Sequence, residues 1–225
     1  MATRPLSLIA AFLIACAPIA VSQSTSDIIE QEEADRLSAC LDLIETDPEA
    51  AYEEGLRWLG QGSRPAARFC IAMALIGREN YAEGAYRLES LANAPDAGTM
   101  EQRLVYLAQA GNAWLAAEMP GEAVVALSNA MKLSPKNPGL LTDRASAYLM
   151  MDKPDLAVGD LNNALEKVPD LSDALFLRAR AFLAQNRLSA AFTDIERARE
   201  LDPENIDILV LRGEIREARR LADQR

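Results

Sequence analysis

From Leu104 onward the apolar positions fall into columns that repeat every 34 residues. Leu107, Gly111, Trp114, Ala123, Leu127, Ala130 and Pro135 are followed by Leu141, Ala145, Tyr148, Ala157, Leu161, Ala164 and Pro169. Leu175, Ala179, Phe182, Ala191, Ile195, Ala198 and Pro203 complete a third row. Within a row the large residues lie three to four apart, so each row reads as two amphipathic helices. The small residue between them lets the second helix cross close to the first, and the closing proline ends that second helix. A hairpin of this kind keeps one face apolar and must stack on a neighbour. The last stretch, Ile206–Asp223, repeats Leu209 and Gly213 and predicts a capping helix. Upstream, Ala72, Leu75, Tyr81, Gly84, Leu88 and Leu91 form a looser row, followed by about six extra residues around PDAGTM that break the period. Residues 28–62 read as two more helices, with YEEGLRWLG at 52–60 as the second. The expectation is about five hairpins, the first two irregular, and no strand.

Period and columns together resemble the tetratricopeptide repeat (TPR) family, most specifically over 104–203. The resemblance implies an all-α, right-handed solenoid of helical hairpins. Residues 98–225 would hold three regular repeats plus the capping helix, and 23–97 an irregular N-terminal lobe. It also implies that the first helix of each hairpin lines a concave groove where partners bind as extended or helical peptides. The groove residues so implied are Val105, Ala108, Asn112, Leu115, Thr142, Ser146, Leu149, Phe176, Arg180 and Leu183, with Met150, Asp173 and Glu214 beside them. Their mixture of apolar and scattered polar groups suits a partly hydrophobic segment. One TPR subclass clamps a C-terminal carboxylate with Lys and Asn. Here Asn112 is kept, but Ala108, Asp143, Asp173 and Leu177 stand at the other clamp positions, which argues against that ligand.

Composition narrows the chemistry. Half of the 225 residues are apolar, enough for a core, and aromatics are scarce. The chain has no histidine, the commonest general base and metal ligand. A formal charge of −11 argues against a nucleic-acid backbone as partner. With no phosphate loop, triad or metal cluster, the sequence reads as a non-enzyme without a cofactor. The paired glutamates at 32–33 and 53–54 diverge on their helices. Residues 27–60 carry eleven Asp and Glu against Arg36 and Arg57, a solvated face or a surface that steers a basic partner.

The first residues are a different kind of sequence. Arg4, the apolar run LSLIAAFLIA and then CAPIAVSQ follow the order of a secretory signal. Cleavage after Ser22 would leave a soluble periplasmic or secreted chain starting at Gln23. The alternative, Leu13-Ile14-Ala15-Cys16, resembles a lipobox and would leave a lipoprotein anchored through Cys16. In an oxidising compartment Cys40 and Cys70 read as a disulfide rather than two buried thiols. Arg144, Arg178 and Arg212 also recur at the period. Each has a choice between an Asp 16 residues later and one 18 residues earlier, and neither spacing satisfies all three. As a whole the sequence reads as a scaffold or adaptor of the bacterial cell envelope that binds a protein or peptide partner. A chaperone-like assembly factor for exported clients and an architectural subunit are the alternatives.

Overall fold

Helices α5 (Met100–Ala116) and α6 (Pro120–Leu133) show how one row of the repeat folds. Thr99 and Gln102 close a reciprocal capping box at the start of α5, which satisfies two of its free amides. At its end, Glu118 adopts a left-handed backbone with φ 57°. The Glu118 N–H donates to the Leu115 carbonyl at 3.0 Å and the Met119 N–H to the Trp114 carbonyl at 2.9 Å, the crossed pair of a Schellman turn. Asp152 and Asn186 sit in the same turn one and two periods later, with φ 55° and 56°. Glu79 does so upstream, with φ 61°. A non-glycine residue there costs about 1 kcal/mol, and four of the described residues accept that cost. This turn extends regular hairpin geometry into the looser row.

The computed structural model describes residues 25–62 and 64–224, so the expected signal segment and Cys16 lie outside the described residues. Preceding α5 are α1 (Thr25–Thr46), α2 (Pro48–Gly60), α3 (Pro65–Gly77) and α4 (Tyr81–Ala92). Following α6 are α7 (Pro138–Met150), α8 (Pro154–Lys167), α9 (Ser172–Ala184), α10 (Leu188–Leu201) and α11 (Ile206–Ala222). They pair as α1/α2 through α9/α10, five hairpins with α11 at the end, and no strand occurs among the described residues. The molecule is an all-α solenoid of helical hairpins. First helices touch across hairpins (α1–α3, α5–α7, α7–α9 and α9–α11), whereas second helices do not pack comparably on one another. The first helices therefore form the inner face and the second helices splay outward.

Burial follows the columns. Leu107, Leu141 and Leu175 are nearly inaccessible, and Ala123, Leu127 and Ala130 are fully buried. One apolar cluster runs from Phe69 to Ala147 and a second from Leu141 to Ile215, with Met131 packed against both. At Gly111 the helices approach so closely that a Cβ would lie 2.5 Å from Leu127 Cγ. The first hairpin and α3 share a small core of Cys40, Ala51, Trp58, Ala67, Cys70 and Ala74. Its centre is a Cys40–Cys70 disulfide that ties α1 to α3 across a Cα separation of 6.1 Å. The period breaks at the α4–α5 connection, where the Arg103 guanidinium donates to the carbonyls of Ala92 and Ala94. Ala92 is the last residue of α4, and the Ala94 carbonyl just past it also accepts from the Ala97 N–H at 3.2 Å. Arg68 pairs with Asp96 in the same loop.

Candidate peptide-binding groove

The inner face of α5, α7 and α9 carries the residues expected to line a groove, and burial sorts them into two kinds. Val105, Asn112 and Arg180 are exposed, as is Met150, and Ser146 is half-buried. Ala108, Leu115, Leu149, Phe176 and Leu183 are half-buried and pack against the core clusters. Thr142 departs from the expectation. It is 8% exposed, and its hydroxyl donates to the Pro138 carbonyl one turn back, so it bonds its own helix backbone and offers nothing to a ligand.

Asn112 on α5, Asp143 on α7 and Asp173 on α9 stand on three successive first helices, Asp143 half-buried and the other two exposed. Burial in the groove pushes the Asp143 carboxyl above the usual aspartate range; the Asn112 amide, hydrogen-bonded to it, opposes that, and the Asp173 carboxylate adds to it. Sequence reasoning met Asp143 only as a mismatch to a carboxylate clamp, and Asp173 both as a mismatch and as a neighbour of the groove residues. Which of them face one another depends on how far each helix is rotated about its axis, which the columns do not state.

The recurrent arginines form the frame behind the groove. Arg144 grips both oxygens of Asp160 through Nε and Nη2, at 2.7 and 2.8 Å. Its Nη1 reaches back to Ser128 at 3.1 Å. Arg178 repeats this with Asp194 ahead, at 2.7 and 2.9 Å, and Asn162 behind, at 2.9 Å. Each guanidinium therefore joins its own hairpin to the preceding one, in the two-oxygen geometry that suits it. Arg212, stranded by the 16-later spacing and offered Asp194 by the 18-earlier one, does not take Asp194: its Nε donates to Glu196, 16 residues back, at 2.6 Å. Glu196 occupies the column of Ser128 and Asn162 and supplies the carboxylate that Arg212 lacks ahead of it. Burial raises the Glu196 carboxyl, but Arg212 and Arg199 outweigh it and hold the group below its usual range.

In the acidic first lobe, Glu33, Glu49 and Glu54 pair with Arg64, Arg78 and Arg36, so part of that charge run holds the lobe together. A cleft of 720 Å³ opens there between α1, the start of α3 and the start of α5, lined by Ile29, Glu33, Leu37, Gln102 and Tyr106 among others. The sequence signalled it only through the residues that interrupt the period. Among the described residues no His, Cys, Asp and Glu group is arranged to hold a metal ion, and no helix is long and apolar enough to cross a membrane.

No family model and no curated protein matches the chain. Solved structures do. The first TPR domain of human RPAP3 is 30% identical with a TM-score of 0.52, over 54% of this chain and 95% of that domain. The first TPR of Spaghetti (RPAP3), solved with the HSP90 peptide SRMEEVD bound, is 32% identical with a TM-score of 0.50, over 52% of this chain and 93% of that one. A MamA protein from Desulfovibrio magneticus RS-1 shares the fold alone, at 19% identity and a TM-score of 0.61 over 72% and 91%. The chain belongs to the tetratricopeptide repeat family, and with that its inner face becomes an interaction surface by class.

Proposed function

We propose that this chain is a non-enzymatic scaffold of the bacterial cell envelope that holds one protein segment in the groove of its three regular repeats, within residues 98–225. The observation that carries the reading is the inner face itself. Exposed Val105, Asn112, Met150 and Arg180 alternate with half-buried Ala108, Leu149 and Phe176 along three stacked helices, a surface suited to an extended peptide or one helix face. The RPAP3 relative holds a peptide, which supports peptide binding as the class of ligand. Asp143, Asp173 and Leu177 at the clamp positions separate this groove from one that takes an acidic C-terminal tail. The Cys40–Cys70 disulfide fits an oxidising compartment, and the signal-like N-terminus supports export. A mature chain beginning at Gln23 excludes the lipid anchor at Cys16, and its intact mass reads that directly.

The test is photo-crosslinking in the envelope with the probe at Ser146 and an outer-face control at Val125, which is 58% exposed on α6. One discrete adduct from Ser146 alone supports the scaffold. A spread of weak adducts supports a chaperone-like role for exported clients. Capture from Val125 alone makes the outer face the interface and the protein an architectural subunit.

A further inference from the structure

The row of first helices is interrupted once. Helix α1 packs on α3, α5 on α7, α7 on α9 and α9 on α11, but α3 and α5 do not pack comparably. Residues 93–99 join α4 to α5, a longer connection than residues 134–137, 168–171 and 202–205 at the later junctions. That connection is pinned by Arg103 on the Ala92 and Ala94 carbonyls, by Arg68 on Asp96 and by the Thr99–Gln102 capping box. Gly98 takes φ 86° in it, and a Cβ there would collide with the Gln102 amide, so this wall is set by a backbone that suits glycine. The 720 Å³ cleft between α1, α3 and α5 is the gap so held open. Ile29, Leu37, Pro65, Ala66 and Tyr106 make its lining mostly apolar, and Glu30 and Glu33 bring carboxylates to it. Two of these groups lack a partner. Glu33 pairs with Arg64 at 2.9 Å, whereas Glu30 forms no ion pair with a described residue. Tyr106 is 5% exposed, and its hydroxyl makes no hydrogen bond to a described residue. The hydroxyl is not sealed off, because Arg68 Nε is the one fully buried, unpartnered side-chain polar atom among those residues. So deeply buried a polar group normally has a partner, and the cleft that Tyr106 lines is where one can reach it.

We propose that this cleft is a second docking site, for a short extended segment of a partner protein that carries an aromatic residue followed by a basic one. The aromatic ring fills the apolar gap beside the Tyr106 ring, which already packs on Phe69 at a centroid distance of 5.1 Å. The Tyr106 hydroxyl donates to a backbone carbonyl of the segment, and the basic side chain meets Glu30. An aromatic anchor suits the gap because a rigid ring brings a large apolar area for few torsions ordered. Charge selects the neighbour of that anchor. Residues 27–60 carry eleven Asp and Glu against Arg36 and Arg57, so the lobe attracts a basic segment and repels an acidic one, more strongly at low salt. The site does not rest on the groove of α5, α7 and α9, and either can fail without the other.

Three fluorescein-labelled Gly-Ser peptides, differing only in a central Phe-Arg, Ala-Arg or Phe-Glu pair, separate the contributions. Their binding to the full mature chain with its disulfide intact is followed by anisotropy at low salt. The Phe-Arg peptide is expected to bind at least about tenfold more tightly than the Ala-Arg peptide, the size of one buried ring. It should also bind at least about threefold more tightly than the Phe-Glu peptide, a margin that shrinks as salt is added. Tyr106→Phe keeps the ring and removes only the hydroxyl; it should weaken the Phe-Arg peptide about threefold to tenfold, with a melting temperature no lower than the parent's. Glu30→Gln, at an exposed position, should erase most of the preference for Arg over Glu. A benzophenone ring in place of the phenyl ring should attach within residues 29–37, 65–66 or 98–106. Equal binding of the Phe-Arg and Ala-Arg peptides, or no binding of any of the three at millimolar concentration, overturns the site. Unchanged affinity in Tyr106→Phe overturns it as well, and so does benzophenone attachment confined to α7 or α9. None of these results decides the groove, which the Ser146 crosslink tests separately.

Discussion

Gly111 and Gly213 occupy the same column of the repeat, yet their surroundings differ. A Cβ at Gly111 would collide with Leu127, whereas at Gly213 it would meet nothing within 4 Å. Gly111→Ala should therefore destabilise the chain, and Gly213→Ala should stabilise it by up to about 1 kcal/mol through helix propensity alone; a pair of thermal melts measures both. The Gly-or-Ala column itself was legible in the sequence, but its opposite energetic signs were not, because they depend on whether a second helix lies opposite. Glu196 gives a pH-dependent test. Its folded carboxyl is held below the ordinary glutamate range by Arg212 and Arg199, so its contribution is present above that range and lost as pH falls through the depressed value. The melting gap between the parent and Glu196→Gln should be open at neutral pH and close as the pH drops below about 4.

At the scale of the element, α9 is held by packing and by one side chain. Arg178 joins it to α8 through Asn162 and to α10 through Asp194, whose side chain is only 8% exposed. Removing the guanidinium leaves a nearly buried carboxylate without a partner, so Arg178→Ala should cost about 3 kcal/mol in denaturant melts. Arg178→Lys should recover only part of this, since one ammonium cannot span both neighbours. The helices themselves were readable from spacing, since periodicity reports burial directly. The arginine partners were not readable, because residues 16 later and 18 earlier both fall within reach in a stack of this period. The third answer, a residue 16 earlier, needed the coordinates. The left-handed turns at Glu79, Glu118, Asp152 and Asn186 were also hidden, since none is the glycine that signals such a turn. Helix α11 shows a different departure: Arg216 replaces the aromatic of Trp114, Tyr148 and Phe182, and Leu209 is 44% exposed where Leu175 is 4% exposed. A charged residue on the outer side of the last helix is what a terminal repeat requires.

Across the whole molecule, stability is the sum of hairpins and their junctions. The disulfide closes a loop of 30 residues within the first two hairpins, a constraint of roughly 3–4 kcal/mol in the chain-entropy account. Reduction should lower hydrogen-exchange protection in α1–α3 while leaving α7–α10 nearly unchanged; an equal loss along the chain would mean that the array melts as one unit. The overall solenoid was legible because its period is written in the sequence, while the first lobe was only partly legible because α1, α2 and the loop after α4 do not keep that period. The arginine frame has one more consequence, for how such a chain can change length. The contacts of Arg144 and Arg178 lie 16 residues behind and 16 ahead, so excising residues 145–178 brings Asp194 to the place of Asp160 and leaves Ser128 where it was. A chain shortened by that one unit should fold with one hairpin fewer and with Arg144 and Arg212 still paired, and duplication of the same segment should lengthen the frame in the same way. The molecule is therefore built to be cut and copied in whole periods, and its reach along a partner can be adjusted without designing a new junction.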